Sequence, residues 1–194
     1  MHWSFCGSGY GDFFQSLLRE FPGLHVIHIQ RPNYLDVFVS WLMAQQTGEW
    51  FIPSDGVSAK ASDKTISPAP DEADAFFAKM ESADRFFADT FSGGSYLPIV
   101  YEDLSQNLQE TCGQVFQFLG VGASPVTPLI KKQVERGIPE IIRNYRQLSE
   151  HLSRTKYSRF LHAHSAASTE WAWSNTATSR YTMNYRILPY DIKK

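Results

Sequence analysis

The chain has 194 residues, 43% of them hydrophobic and 20% charged, enough for one domain with one core. Its 18 basic and 20 acidic residues leave a net charge of −2, without the basic excess of a nucleic-acid-binding surface, so any anion site must be local. No window approaches the roughly 18–20 consecutive apolar residues of a membrane span, and the first residues lack a signal peptide's basic start and apolar run.

Residues 1–11 contain Gly7, Gly9 and Gly11. A phosphate-cradling loop would need Gly-Lys-Ser/Thr directly after such a run, and a dinucleotide fingerprint needs another glycine spacing, so the run reads as a turn. Aromatic residues begin at Trp3 with no polar lead-in, from which a segment upstream of Met1 is expected. Cys6 and Cys112 make no disulfide framework and lack metal-ligand spacing, which points to a reducing, cytoplasmic compartment, with a single bridge between them left open, and the missing apolar span points to a soluble chain. A helix follows near 12–20, with Phe13, Phe14, Leu17 and Leu18 on one face, and Phe21, Pro22 and Gly23 close it.

Residues 24–46 are the organising unit. Val26, Ile27, His28 and Ile29 form a short apolar run, as in an interior parallel strand, Pro32 and Asn33 break it, and a helix bearing Ser40 follows. In an open parallel sheet, ligands collect beyond the carboxyl ends of the strands, where the next helix presents unpaired N–H groups to an anion. Arg31 stands there with a fixed charge and a fork of donors matched to phosphate. Asn33 and Asp36 read as the helix N-cap and its N3 partner, and Thr47 and Gly48 as the helix end.

Trp50, Phe51, Ile52 and Pro53 lead into a polar loop to about residue 70, either a lid over an acceptor or a plain surface excursion. From Pro70 a long helix carries Phe76, Phe77, Met80, Ala83, Phe86 and Phe87 as a continuous apolar stripe, read as core. Residues 92–95 turn the chain into a second strand at 96–101, and Glu102, Asp103 and Leu104 carry it into a helix over 108–120 with Gly120 as its C-cap. A linker at 124–138 holds Lys131, Lys132 and Arg136, and Pro139 opens a last helix in which Ile141, Ile142, Tyr145, Leu148 and Leu152 share a side. Past residue 162 no period is sustained; His162 and His164 are weak metal evidence, and no metal is expected. Strand-helix twice over predicts an α/β fold, a parallel sheet flanked by helices within residues 1–162, followed by an irregular tail at 163–194.

Three blocks resemble one family. HVIHIQRPNYLDVFVSW resembles the 3′-phosphate-binding segment of sulfotransferases that use 3′-phosphoadenosine 5′-phosphosulfate, where a strand ends in Arg and the next helix contributes a Ser. LPIVYEDLSQNLQETCGQVFQFLGV resembles the same family's strand, Tyr-Glu-Asp-Leu turn and helix. IIRNYRQLSEHLSRTKYSRFL resembles the closing Asn-Tyr-x-x-Leu helix and Thr-x-Tyr sequel of the bacterial Stf0-like and nodulation-type branch.

The resemblance implies a partial P-loop-NTPase-like sulfotransferase fold, N-terminally incomplete, that moves a sulfuryl group from 3′-phosphoadenosine 5′-phosphosulfate to a hydroxyl of a carbohydrate or small molecule. It puts Arg31 and Ser40 on the 3′-phosphate, Tyr101 near the adenine, Lys132 within reach of the phosphate, and His2 as general base for the acceptor. The chain departs from the family at Pro32, where many bacterial relatives have a second basic residue, and has one residue more between Arg31 and Ser40 than cytosolic members. It also lacks a Ser-Gly-Thr-type loop for the 5′-phosphosulfate. The alternative is a non-catalytic remnant that binds a nucleotide or a partner; a P-loop kinase relative is disfavoured by the missing Walker lysine.

Overall fold

A computed structural model describes residues 10–54, 56, 63–131 and 136–162, with Lys131 described by its backbone alone. His2, Cys6, Lys132, His164, the centre of the 50–70 loop and the 163–194 tail fall outside the described residues.

The elements follow the expected order. Helix α1 (Tyr10–Glu20) turns at Pro22 into strand β1 (His25–Gln30), and helix α2 (Tyr34–Thr47) follows. Gly48 ends α2 at φ +74°, a left-handed conformation that glycine takes without steric cost, and its N–H closes on the Ala44 carbonyl at 2.8 Å. After the short strand β2 (Ile52–Pro53) comes the long helix α3 (Pro70–Phe91), then β3 (Ser95–Val100). The chain continues through α4 (Tyr101–Gln106), α5 (Leu108–Phe118), β4 (Ile130–Lys131), α6 (Ile138–Ile141), α7 (Tyr145–Leu152) and a 3₁₀ segment, Lys156–Leu161.

β1 and β3 pair in parallel, from His25 opposite Ser95 to Gln30 opposite Val100, and β2 pairs antiparallel with β4. The reading of β1 as an interior strand needs correction. Among the described residues it pairs with β3 alone, and exposure alternates along it, with Ile27 and Ile29 at 36% and 53%. One face is covered: Val26 packs into a cluster with Phe14 of α1, Phe86, Phe87 and Phe91 of α3, and Tyr96 of β3. Apolar residues on both faces made a half-covered strand look like a fully buried one.

The helix expected at 108–120 is present as α5, set off from the short α4 at Asn107, whose φ of −126° and ψ of 51° are not helical. The helix expected from Pro139 is broken, because Ile142 is extended and bridges to Ile66: the Ile66 N–H reaches the Ile141 carbonyl at 2.9 Å, and the Arg143 N–H reaches the Ile66 carbonyl at 2.8 Å. Backbone groups that a helix would have paired internally are satisfied by a neighbouring segment.

The larger core is helical. Leu35, Phe38 and Met43 of α2, Phe76 and Phe77 of α3, Leu148 and Leu152 of α7, and Tyr157 and Phe160 pack together, most of them fully buried. Each such side chain contributes about 1.5–3 kcal/mol of transfer free energy. α3 joins this core to the cluster under the sheet, its Phe76–Phe77 and Phe86–Phe87 pairs lying roughly 15 Å apart along the axis. No helix among the described residues is long and apolar enough to cross a membrane.

Candidate functional site

The β1–β3 register builds the site. Because Gln30 lies opposite Val100, the next residues of the two strands, Arg31 and Tyr101, emerge side by side at the carboxyl end of the sheet. Pro32 offers no N–H to extend the strand, and Asn33 starts α2: its side chain accepts from the Leu35 N–H at 3.1 Å and donates to the Phe160 carbonyl at 3.4 Å.

Arg31 is held on three sides. Its Nε donates to Glu102 Oε1 at 3.1 Å, its Nη2 lies 3.9 Å from Asp36 Oδ2, and its guanidinium sits 4.5 Å from the centre of the Tyr101 ring. With Nε engaged by Glu102 and one flat face on Tyr101, the guanidinium is held in a fixed orientation. Tyr101 accordingly has one ring face against Arg31.

The charge count qualifies the anion reading. Arg31 brings +1 against −1 each from Asp36 and Glu102, so the cluster's formal charge is −1. Glu102 Oε2 is also buried without a hydrogen-bond partner. The positive contribution to set against these carboxylates is the first turn of α2, whose backbone N–H groups and dipole favour an anion.

Ser40 is exposed and lies six residues past the start of α2, roughly 9 Å along the axis. Its i,i+4 spacing from Asp36 sets it on the same side of α2 as the carboxylate beside Arg31. The structure thus brings Arg31 and Tyr101 together, leaves Ser40 one turn beyond Asp36, and does not describe His2 or Lys132.

A second constellation went unread in the sequence. Asp84 of α3 accepts from the Tyr34 hydroxyl at 2.7 Å and lies 3.5 Å from His28 Nε2, and His28 Nδ1 lies 2.6 Å from the Tyr96 hydroxyl. Burial and the adjoining Asp84 carboxylate push the Tyr34 phenol well above its usual range. The available signal was Asp84 itself, seven residues from both Phe77 and Phe91 on the apolar stripe of α3. A separate cavity of about 300 Å³, lined by Pro70, Gln147, Glu150, His151, Arg154 and Thr155, lies towards the other end of α3.

Comparison with known proteins bears on this geometry. The family described as Stf0 sulphotransferase matches residues 14–148, a span that contains both sheet strands, Arg31, Tyr101 and Glu102. Nodulation protein H of Rhizobium tropici is 30% identical over 163 residues, covering 81% of this chain and 62% of the relative. Nodulation protein H of Rhizobium meliloti is 28% identical over 148 residues, covering 74% of this chain and 58% of the relative. The chain therefore spans about six-tenths of the length of the curated relatives it matches. No solved structure matched it. Since the family match runs over more than half of the chain and encloses the turn on which the site is built, the chain belongs to the Stf0 sulphotransferase family.

Proposed function

We propose that the chain serves sulfuryl transfer from 3′-phosphoadenosine 5′-phosphosulfate to a hydroxyl of a carbohydrate or small molecule, with Arg31 holding the donor's 3′-phosphate. The observation that carries this reading is the placement of Arg31 at the carboxyl end of β1, ahead of α2 and already oriented by Glu102 and Tyr101. An oriented guanidinium has less freedom to lose when it engages an anion, and its Nη groups can make charge-assisted bonds to phosphate oxygens. Ser40 would add a neutral donor farther along α2, and Tyr101 would meet the adenine with the ring face turned away from Arg31. Lys132 as a further phosphate contact and His2 as general base belong to the same proposal, as does a cytoplasmic setting.

Sulfuryl transfer resembles phosphoryl transfer in being an in-line displacement in which positioning and electrostatic stabilisation supply most of the catalysis. The described residues address positioning, through the nucleotide end of the donor. Titration calorimetry with adenosine 3′,5′-bisphosphate tests this directly: binding lost in Arg31→Ala supports the assignment, and binding unchanged by that substitution refutes it.

The second reading is a chain that binds the nucleotide without transferring sulfate. The formal −1 charge around Arg31, which weakens its hold on the donor without removing it, is the observation on its side. An assay for radiolabelled sulfate passing from donor to hydroxyl acceptors separates the two, since bisphosphate binding without transfer is its signature.

A further inference from the structure

Arg31 stands midway between two residues that one carboxylate ties together. His28 lies three residues before it on β1, and Tyr34 lies three residues after it at the start of α2. Asp84 reaches both, taking the Tyr34 hydroxyl on Oδ2 at 2.7 Å and facing His28 Nε2 with Oδ1 at 3.5 Å. His28 is held from its other side by the Tyr96 hydroxyl at 2.6 Å, and its ring packs 5.5 Å from Phe87. The group is shielded: the His28 and Asp84 side chains are 13% and 17% exposed, and Tyr34 is 5% exposed.

An acid on an apolar stripe is a costly way to gain stability. Replacing a buried polar pair by well-packed apolar residues is often neutral or stabilising, so such a group is better explained by the conformation it specifies. Here that conformation is the turn at residues 31–33, because Asp84 bonds the helix leaving it through Tyr34 and lies against His28 of the strand entering it.

We propose that Asp84 is a positioning residue, which fixes both arms of this turn through His28 and Tyr34 and so aims Arg31 at the 3′-phosphate. The aim of the clamp rests on the reading of Arg31 given above, whereas the fixing of the turn does not.

The test compares Tyr34→Phe, Tyr96→Phe and Asp84→Asn with the unmutated chain by two readouts: calorimetric affinity for adenosine 3′,5′-bisphosphate, and amide hydrogen exchange over residues 33–37. Both tyrosine variants lose a single hydroxyl from one network, but only Tyr34→Phe releases an arm of the turn from Asp84. Expected are an affinity loss of about tenfold in Tyr34→Phe and Asp84→Asn, the scale of a modest misplacement of a binding group, and faster exchange in both. Tyr96→Phe should keep the affinity and the exchange rates of the unmutated chain, even where its melting temperature falls as far. Equal effects of the two tyrosine variants would overturn the proposal, as would a Tyr34→Phe chain with unchanged affinity and exchange. Should Asp84→Asn not fold, the tyrosine pair still decides. If Arg31→Ala binds the bisphosphate as well as the unmutated chain, the phosphate reading fails, and the exchange comparison still shows whether Asp84 fixes the turn.

Discussion

At the scale of single residues, the contest around Arg31 is electrostatic. A carboxylate about 5 Å from a bound phosphate repels it by roughly 3 kcal/mol per unit charge at an effective dielectric constant near 20. The charge-assisted part of its bond to Arg31 contributes about 1–2 kcal/mol. Glu102→Gln keeps an oxygen for Arg31 Nε and removes the charge, so bisphosphate affinity should rise by about 1 kcal/mol or more, read by calorimetry. Tyr34 supplies a pH prediction. Its folded pKa is raised, so its contribution to stability is full below the unfolded value of about 10 and is lost as pH rises above it. Urea unfolding across the alkaline range should show a shallower loss in Tyr34→Phe than in the unmutated chain. Arg31 was legible in the sequence because a strand, a proline and a helix start mark its place. The partnership with Glu102 was not, since the two lie 71 positions apart and meet only through the β1–β3 register.

At the scale of elements, α2 depends on its first residues. Asn33 is 7% exposed, caps the helix and also ties it to the Phe160 carbonyl. Asn33→Ala should cost about 1–2 kcal/mol in urea denaturation, at the upper end of cap losses because both bonds go. Helices with local signals were readable: α3 from its apolar stripe, and the end of α2 from Thr47 and Gly48. The break at Ile142 was not. Nothing local in residues 139–152 announces that Ile142 will pair with Ile66, since the competing partner lies 76 positions away. β1 misled for the opposite reason, its composition being apolar on both faces while Ile27 and Ile29 stay exposed on one of them.

At the scale of the described domain, α3 is the beam between two clusters, and the segment after residue 137 completes the larger one. Phe160 is fully buried, with ring contacts to Tyr34, Phe77 and Tyr157. Phe160→Ala should therefore destabilise the fold by about 3–5 kcal/mol in equilibrium denaturation. That coupling matters for function, because the larger core holds α2, and the start of α2 shapes the turn that carries Arg31. The central claim is that this turn grips the 3′-phosphate of the donor nucleotide, and calorimetry with adenosine 3′,5′-bisphosphate on the unmutated chain and Arg31→Ala tests it most directly. Measurable binding is expected, weakened by about 2–4 kcal/mol when Arg31 is removed, the scale for truncating one partner of a charge pair. No binding by the unmutated chain, or equal binding by both proteins, would contradict it.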